Sequence, residues 1–224
     1  MSNSRLCAFD ILYGILSNDA YSNIALDKAL DDVDSKDKPF VTALVYGVVE
    51  RKLTLEYLIK PYLNGKTKPK VKLLLLIGAY QLYFMDKIPS RAAINETVAL
   101  AQAVGASYYK GLINAVLHKI DQNRIDIDKI EDLSIRFSCP THLINMWKKQ
   151  YGEESTMQIL SSINEKPPVF AVPNTTIVDI DECLYELNNA GIEGEIDGDV
   201  IKINSSFDLN TCKPFIDGLF HIED

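Results

Sequence analysis

Apolar residues recur every three or four positions along the first half of the chain, the spacing that places them on one face of an α-helix. The pattern predicts a helix from Arg5 to near residue 18 and a short amphipathic segment over residues 24–30. Further helices are predicted over residues 39–51, 53–63, 73–85, 91–104 and 107–120. Because no stretch here alternates with the period of two typical of a strand, we expect a compact bundle of about seven helices.

Prolines and glycines mark the ends of these predicted helices. Gly65 precedes the polar stretch Lys66 to Lys72, which is predicted to be a loop. Ile88-Pro89 interrupts the apolar pattern, so Ser90 is predicted to be the N-cap of the next helix. Gly105 is predicted to end that helix.

The pattern changes after residue 120. Residues 121–132 are polar and acidic and are interpreted as a connection to a second unit. Pro140 can open a helix that Gly152 closes, and residues 153–164 predict a further helix. Together these segments predict a helical linker over residues 126–165.

Residues 166–224 combine strand and helix patterns. Val169 to Val172 suits a strand, and residues 180–190 suit a helix closed by Gly191. Residues 195–204 predict a hairpin that turns at Asp197-Gly198. The predicted fold is therefore mostly α, with a helical bundle over residues 1–125 followed by a small α+β subdomain over residues 166–224.

The net charge of −8 hides a division between the two halves of the chain. Residues 1–125 carry 16 Lys and Arg against 12 Asp and Glu, a balance of +4, and residues 126–224 carry 7 against 19, a balance of −12. Contact with phosphate groups is therefore expected only in the first half.

The strongest candidate for such contact is a segment with four lysines in seven residues and no acidic residue. Four ammonium groups at this density can neutralise several phosphates and release their counterions. Cations near helix ends could extend the surface, although their aliphatic stems could equally cover the edge of the core. The candidate RNA-binding residues are Arg51, Lys52, Lys66, Lys68, Lys70, Lys72, Lys110 and Lys119.

The sequence offers no candidate for catalysis, cofactor binding or metal binding. The four cysteines lie far apart and are interpreted as reduced, mostly buried thiols. Polar residues inside the apolar helical patterns are expected to make hydrogen bonds between helices, namely Gln81, Asn95, Glu96 and Asn114. No apolar run approaches the roughly 20 residues that a bilayer requires, and we expect a soluble, intracellular protein.

Several of these segments together resemble a known family. The first half resembles the NusB-like domain, in the form fused to bacterial 16S rRNA (cytosine-5) methyltransferases of the RsmB (Sun, Fmu) type. The residues that carry the resemblance include Val45-Tyr46-Gly47-Val48, Gly78-Ala79-Tyr80-Gln81-Leu82, Ala92-Ala93-Ile94-Asn95-Glu96 and Gly111-Leu112-Ile113-Asn114-Ala115-Val116-Leu117. The second half resembles the region that precedes the catalytic domain there, through Phe137-Ser138-Cys139-Pro140, Asn164-Glu165-Lys166-Pro167-Pro168 and Asp217-Gly218-Leu219-Phe220.

The resemblance implies an RNA-recognition part of an rRNA methyltransferase. It implies small-subunit rRNA as partner, the bacterial cytoplasm as location, and a catalytic domain that binds S-adenosylmethionine, follows residue 224 and packs on the α+β subdomain. No residue of this chain is then expected to transfer a methyl group or to bind the cofactor. Where the family has an Arg-Val-Asn element, this chain has Val172-Pro173-Asn174.

Two other functions fit the sequence. A NusB-like adaptor, in antitermination or on the ribosome, would bind RNA together with a protein and catalyse nothing, but it would leave residues 134–224 without a purpose. A helical bundle for protein interaction would make no RNA contact at all. Salt-dependent RNA binding distinguishes these functions, because phosphate contacts release counterions.

Overall fold

The computed structural model describes residues 3–18, 30, 33–163, 165, 167–205, 207–209 and 211–223. The chain divides into two compact units, residues 1–164 and residues 165–224. Every regular element described in the first unit is helical, as predicted: α1 (Asn3–Asn18), α2 (Lys38–Glu50), α3 (Lys52–Ile59), α4 (Pro69–Phe84), α5 (Ser90–Ala103), α6 (Lys110–Gln122), α7 (Leu133–Arg136) and α8 (Thr141–Ser162). The amphipathic segment predicted from residue 24 lies, up to residue 29, outside the described residues.

Helix ends follow the proline and glycine positions closely. Pro39 and Pro69 stand in the first turns of α2 and α4, where a missing N–H is tolerated. Ser90 was predicted to be an N-cap, but it is the first helical residue of α5, and Pro89 occupies the cap position. Gly105 has a φ of +75°, which glycine adopts without strain, and α5 ends just before it.

The core of the first unit surrounds α4. This helix is apolar on nearly all sides, and residues 73–77 are at most 3% exposed. A helix without a polar face must be covered all round, and α4 contacts α1, α2, α3, α5 and α6. Among the described residues, no helix combines the length and the apolar character that a membrane span requires.

Two glycines allow the helices to approach closely around α4. A Cβ added at Gly78 would lie 2.6 Å from Cδ1 of Leu117, a fully buried residue of α6. A Cβ added at Gly47 of α2 would lie 2.0 Å from Cζ of Tyr80 on α4. The helical segments that carry the NusB resemblance therefore fit against one another at these glycines.

The segment that follows the bundle is attached to α3. Ser138 accepts a hydrogen bond from the backbone N–H of Leu53 (3.0 Å), and Thr54 donates its hydroxyl to the carbonyl of Ile135. The first turn of α3 has no side-chain cap of its own, so Ser138 satisfies one of its free amides. Ser138 holds a φ of 55°, an uncommon conformation for a residue other than glycine.

Helix α8 consists of two helical stretches that meet at Gly152. Gly152 has φ 81° and ψ 174°, a conformation essentially limited to glycine. This agrees with the predicted closure of one helix and start of another at this position. The hydroxyl of Thr156 donates to the carbonyl of Gly152 (2.6 Å) within the first turn of the second stretch.

The second unit is a four-stranded antiparallel sheet, with helices in the connections that join its strands along the sequence. Its elements are β1 (Val169–Pro173), α9 (Ile180–Asn189), β2 (Gly194–Asp197), β3 (Val200–Ile203), α10 (Lys213–Ile216) and β4 (Phe220–Glu223). The strand order is β2-β3-β1-β4, so β1 and β2 flank β3 in a split β-α-β arrangement. Its core joins one face of the sheet to α9 through Ala171, Leu187, Ile201 and Phe220.

Three of these four strands were predicted from the sequence. The hairpin turns through Gly198, whose φ is 65°, and Asp197 pairs with Val200. Strand β4 was not predicted, although it pairs with β1 from Phe170 to Pro173. Asn174 joins the two strand ends, because its backbone N–H donates to the carbonyl of Leu219 (2.8 Å) and its amide to that of Gly218 (3.2 Å).

We expect Gly78→Ala to destabilise the first unit by about 2 kcal/mol, since an added methyl group in a filled core forces its neighbours out of place. The contact with Leu117 leaves no space for it. Chemical denaturation measures the change. Gly14→Ala is the matched control, because no atom of the described residues lies within 4 Å of a Cβ added there. The control should be neutral or stabilising by up to about 1 kcal/mol, and an equal loss in both variants would contradict the close-approach explanation.

Candidate nucleic-acid interface

The basic residues of the first unit are concentrated between residues 51 and 124. This stretch carries 12 Lys and Arg against 4 Asp and Glu. Its positive charge is therefore stronger than the balance for residues 1–125 indicates. The second unit is acidic, with 3 Lys and Arg against 13 Asp and Glu in residues 165–224, which disfavours contact between that unit and phosphate groups.

The four-lysine segment is half loop and half helix. Lys66 and Lys68 precede α4 and are exposed, as predicted for a loop. The loop prediction was wrong for Lys70 and Lys72, which lie in the first turn of α4. The physical reason is Pro69, whose restricted φ suits the first position of a helix.

This arrangement works against the stability of α4. The amino end of a helix carries a partial positive charge and favours acidic residues, whereas the first turn of α4 contains none. Each lysine there costs about 0.3–1 kcal/mol when it is exposed and no anion is near. Within the part of the chain that the structure describes, no side chain caps the first amides of α4 either. A bound anion would relieve both deficits.

Three of the four lysines have partners within the first unit. Lys68 lies over the ring of Tyr109, with Nζ 5.4 Å from its centroid. Lys70 donates to the carbonyl of Val104 (3.0 Å) and lies 5.7 Å from the ring centroid of Tyr13. Lys72 forms an ion pair with Glu56 (2.9 Å). Among the described residues, Lys72 is paired with a carboxylate and Lys70 interacts with that of Asp10, so the charges of Lys66 and Lys68 are the least compensated by carboxylates.

Lys110 and Lys52 lie near the same segment. Lys110 begins α6, directly after the tyrosine that Lys68 covers, and donates to Gln102 (2.6 Å). Lys52 and Lys72 line one small cavity together with Glu56. Six of the eight candidate residues therefore surround the start of α4.

Arg51 and Lys119 are not part of that group. The guanidinium of Arg51 lies over the ring of Phe84, 5.0 Å from its centroid, at the far end of α4. Burial lowers the pKa of Arg51 from its ordinary value, and Glu50 opposes this effect. Lys119 lies exposed in the last turn of α6, the end opposite Lys110. The structure therefore divides the candidate residues between two ends of the bundle.

Gln81 makes the hydrogen bonds between helices that the sequence predicted. It is 1% exposed, accepts from Nε of Arg5 (2.9 Å), and donates to Thr97 of α5 (3.4 Å) and to the carbonyl of Ile77 (3.1 Å). The same prediction was wrong for Asn95 and Asn114, whose side chains are exposed on α5 and α6. Position within an apolar pattern did not reveal on which face these two residues lie.

The cysteines are free thiols, as predicted, and three of them are buried. Burial raises the pKa of Cys139 and of Cys183 above the usual value. These two thiols are therefore poor nucleophiles at neutral pH. Within the ranges that the structure describes, no group of three or more His, Cys, Asp and Glu residues is placed to hold a metal ion.

Two residues beside the basic segment were not among the predicted site residues. Tyr57 is 39% exposed, and Lys60 follows it by three positions on the same helical face. Both line a cavity together with Lys66 and Lys72. The i, i+3 pairing of an exposed aromatic residue with a lysine was the available signal.

Comparison with known proteins matches two family models to successive parts of the chain. Residues 2–122 match the NusB family, and residues 139–210 match the ferredoxin-like domain of RsmF/B-like methyltransferases. The first match covers more than half of the 224 residues. The chain therefore belongs to the NusB family, and a ferredoxin-like domain follows its helical bundle.

Several curated proteins of similar sequence are named as small-subunit ribosomal RNA methyltransferases. The chain is 32% identical to a probable ribosomal RNA small subunit methyltransferase B of Synechocystis sp. over 84% of this chain and 45% of the relative. It is also 32% identical to the protein of that name from Bacillus subtilis, over 89% of this chain and 47% of the relative. The chain is 28% identical to ribosomal RNA small subunit methyltransferase B of Vibrio vulnificus, over 99% of this chain and 54% of the relative. The chain spans about half the length of these curated relatives.

One solved structure has a similar fold. The crystal structure of PH0851 superimposes with a TM-score of 0.65, covering 98% of this chain and 52% of that chain. Because the sequences are 18% identical, this likeness concerns the fold alone.

Gln81→Met should separate a structural role from a role in binding. We expect a loss of about 2 kcal/mol in the free energy of unfolding, since the variant leaves the half-buried guanidinium of Arg5 without its acceptor. RNA affinity below the unfolding transition should not change. Denaturation curves and RNA titrations of the same preparation provide the measurement. Weaker RNA binding without a loss of stability would contradict the structural role.

Proposed function

We propose that this chain is the RNA-recognition part of an S-adenosylmethionine-dependent 16S rRNA (cytosine-5) methyltransferase of the bacterial cytoplasm. The observation that carries the proposal is the succession of a NusB-family bundle and an RsmF/B-type ferredoxin-like domain in one chain. Relatives named ribosomal RNA small subunit methyltransferase B align with up to 99% of it. A free-standing adaptor would not account for the second domain.

The RNA contact in this proposal is electrostatic. Lys66 and Lys68 are exposed beside the uncapped start of α4, where Lys70 and Lys72 add further positive charge. Lysines and free helix amides both bind phosphate oxygens. Contacts of this kind position an RNA without reading its sequence. The bundle would therefore supply affinity and orientation, and base selection would occur elsewhere.

The described residues do not fit S-adenosylmethionine. Sites for nucleotide-like cofactors in α/β proteins lie at the carboxyl edge of a parallel sheet, next to a glycine-rich turn that leads into a helix. The described sheet is wholly antiparallel. Gly191, Gly198 and Gly218 occupy turns with positive φ. We therefore assign the cofactor and the methyl transfer to a catalytic domain outside these residues and derive no chemical step here.

The second unit has a positioning role in this proposal. It is acidic, so it is not suited to hold phosphate groups. Tyr185 and Ile216 are each 63% exposed on it. We propose that this subdomain packs against the catalytic domain, while the basic bundle holds the small-subunit rRNA. The NusB-family part and the ferredoxin-like part would thus have separate partners.

Replacing all four lysines of the segment by glutamine tests the RNA contact. We expect the slope of log K against log salt for an rRNA fragment to become less steep by about 3, since each phosphate contact contributes roughly 0.7–0.9. Affinity at low salt should fall at least 100-fold. Fluorescence anisotropy at several salt concentrations provides both quantities. The four substitutions are Lys66→Gln, Lys68→Gln, Lys70→Gln and Lys72→Gln.

The control is a second variant with the same change in net charge. Lys129, Lys149, Lys202 and Lys213 lie outside the segment, and their replacement by glutamine should alter the slope by less than about 1. Equal effects in both variants would indicate a general charge effect and not a site. The proposed contact would be refuted by an RNA affinity that does not depend on salt and that persists when the four lysines of the segment are replaced by glutamate.

A further inference from the structure

A cavity of about 690 Å³ adjoins the basic segment in the first unit. Its walls come from α3, the turn that follows α3, the loop before α4, the first turn of α4, and α7. A volume of this size is typical of sites for small organic ligands. Lys66 and Lys72 line it, so the cavity is continuous with the surface proposed to bind RNA.

The lining of this cavity has an apolar floor and a basic rim. Leu53, Ile59, Leu63 and Ile135 form the floor. The rim carries Lys60 and Lys66, which are both exposed, and the ring of Tyr57. Flat apolar surface next to cations suits a ligand that combines a planar ring with a negative charge.

Polar groups at the cavity wall add hydrogen-bonding capacity. Thr67 and Ser134 line it, and a hydroxyl group can donate or accept a hydrogen bond. Glu56 also lines it, and its ion pair with Lys72 (2.9 Å) reduces the repulsion that its carboxylate would exert on an anion. A nucleobase edge carries both donors and acceptors, which these groups can satisfy.

We propose that this cavity receives one unpaired nucleotide of the bound RNA. The base would stack on Tyr57 above the apolar floor, and Lys60 and Lys66 would hold the adjacent phosphates. A base within a duplex cannot enter a cavity, since its faces are covered by its neighbours. The inference rests on the proposed RNA-binding function and adds to it a preference for a bulged or single-stranded nucleotide.

The test uses two RNA hairpins that differ by a single bulged 2-aminopurine nucleotide. The full chain should bind the bulged hairpin more tightly and change the fluorescence of its 2-aminopurine. Tyr57→Leu should weaken binding of the bulged hairpin roughly 10-fold, within the range measured for removal of a stacking residue. It should also abolish the fluorescence change and leave affinity for the paired hairpin unaltered. Tyr57→Phe should retain both signals, because it keeps the ring.

Matched controls separate the cavity from general effects. Tyr151→Leu removes an exposed tyrosine of α8 and should change neither the affinity for the bulged hairpin nor that for the paired hairpin. Lys60→Gln, at an exposed position, should weaken binding of the bulged hairpin more than binding of the paired hairpin. This variant provides a readout even where Tyr57→Leu lowers stability, which circular dichroism would detect.

Each other result overturns a defined part of the proposal. The chain could bind the two hairpins with equal affinity and lose affinity for both when the four lysines are replaced. This result would refute nucleotide binding in the cavity and leave the proposed RNA contact intact. No binding of either hairpin or of an rRNA fragment would refute both. Tighter binding of free 2-aminopurine ribonucleoside monophosphate than of the bulged hairpin would identify the cavity as a site for a free nucleotide instead.

Discussion

The close approach of α4 to its neighbours at Gly78 is the constraint on which the first unit depends. Leu117 fills the space that a side chain at this position would need. Tyr80, two residues later, fills the corresponding space at Gly47. With α2 and α6 held against it, α4 has no exposed face to spare for polar residues, and its lysines are confined to the end that emerges from the core. Packing in the centre thus determines where the positive charge is presented.

Much of the fold could be predicted from the sequence because its long helices and its hairpin have local signals. Three-four spacing identifies the helices of the bundle, and Asp197-Gly198 identifies the hairpin turn. Short elements lack such signals. Helix α7 and strand β4 each have four residues, too few for a period to be recognised. Their structure depends on partners distant in sequence, such as β1 for β4.

The candidate interface was predictable in composition but not in arrangement. Lysines without nearby acids identify a basic segment, yet the pairing of Lys72 with Glu56 is a tertiary contact. The contact of Arg51 with the ring of Phe84 is also a tertiary contact, and it places this arginine away from the segment. The cavity combines residues 53–72 with residues 134 and 135. No local pattern indicates that these stretches meet, since their contact depends on long-range hydrogen bonds to α3.

The hydrogen bond from Leu53 to Ser138 has a practical consequence for dividing the protein into fragments. A fragment that stops after α6 would expose the amide that Ser138 satisfies and would lack the wall contributed by Ser134 and Ile135. A shortened polypeptide intended for crystallisation or for spectroscopy should therefore extend through α8. Its carboxyl terminus would then fall near residue 164, where the first compact unit ends.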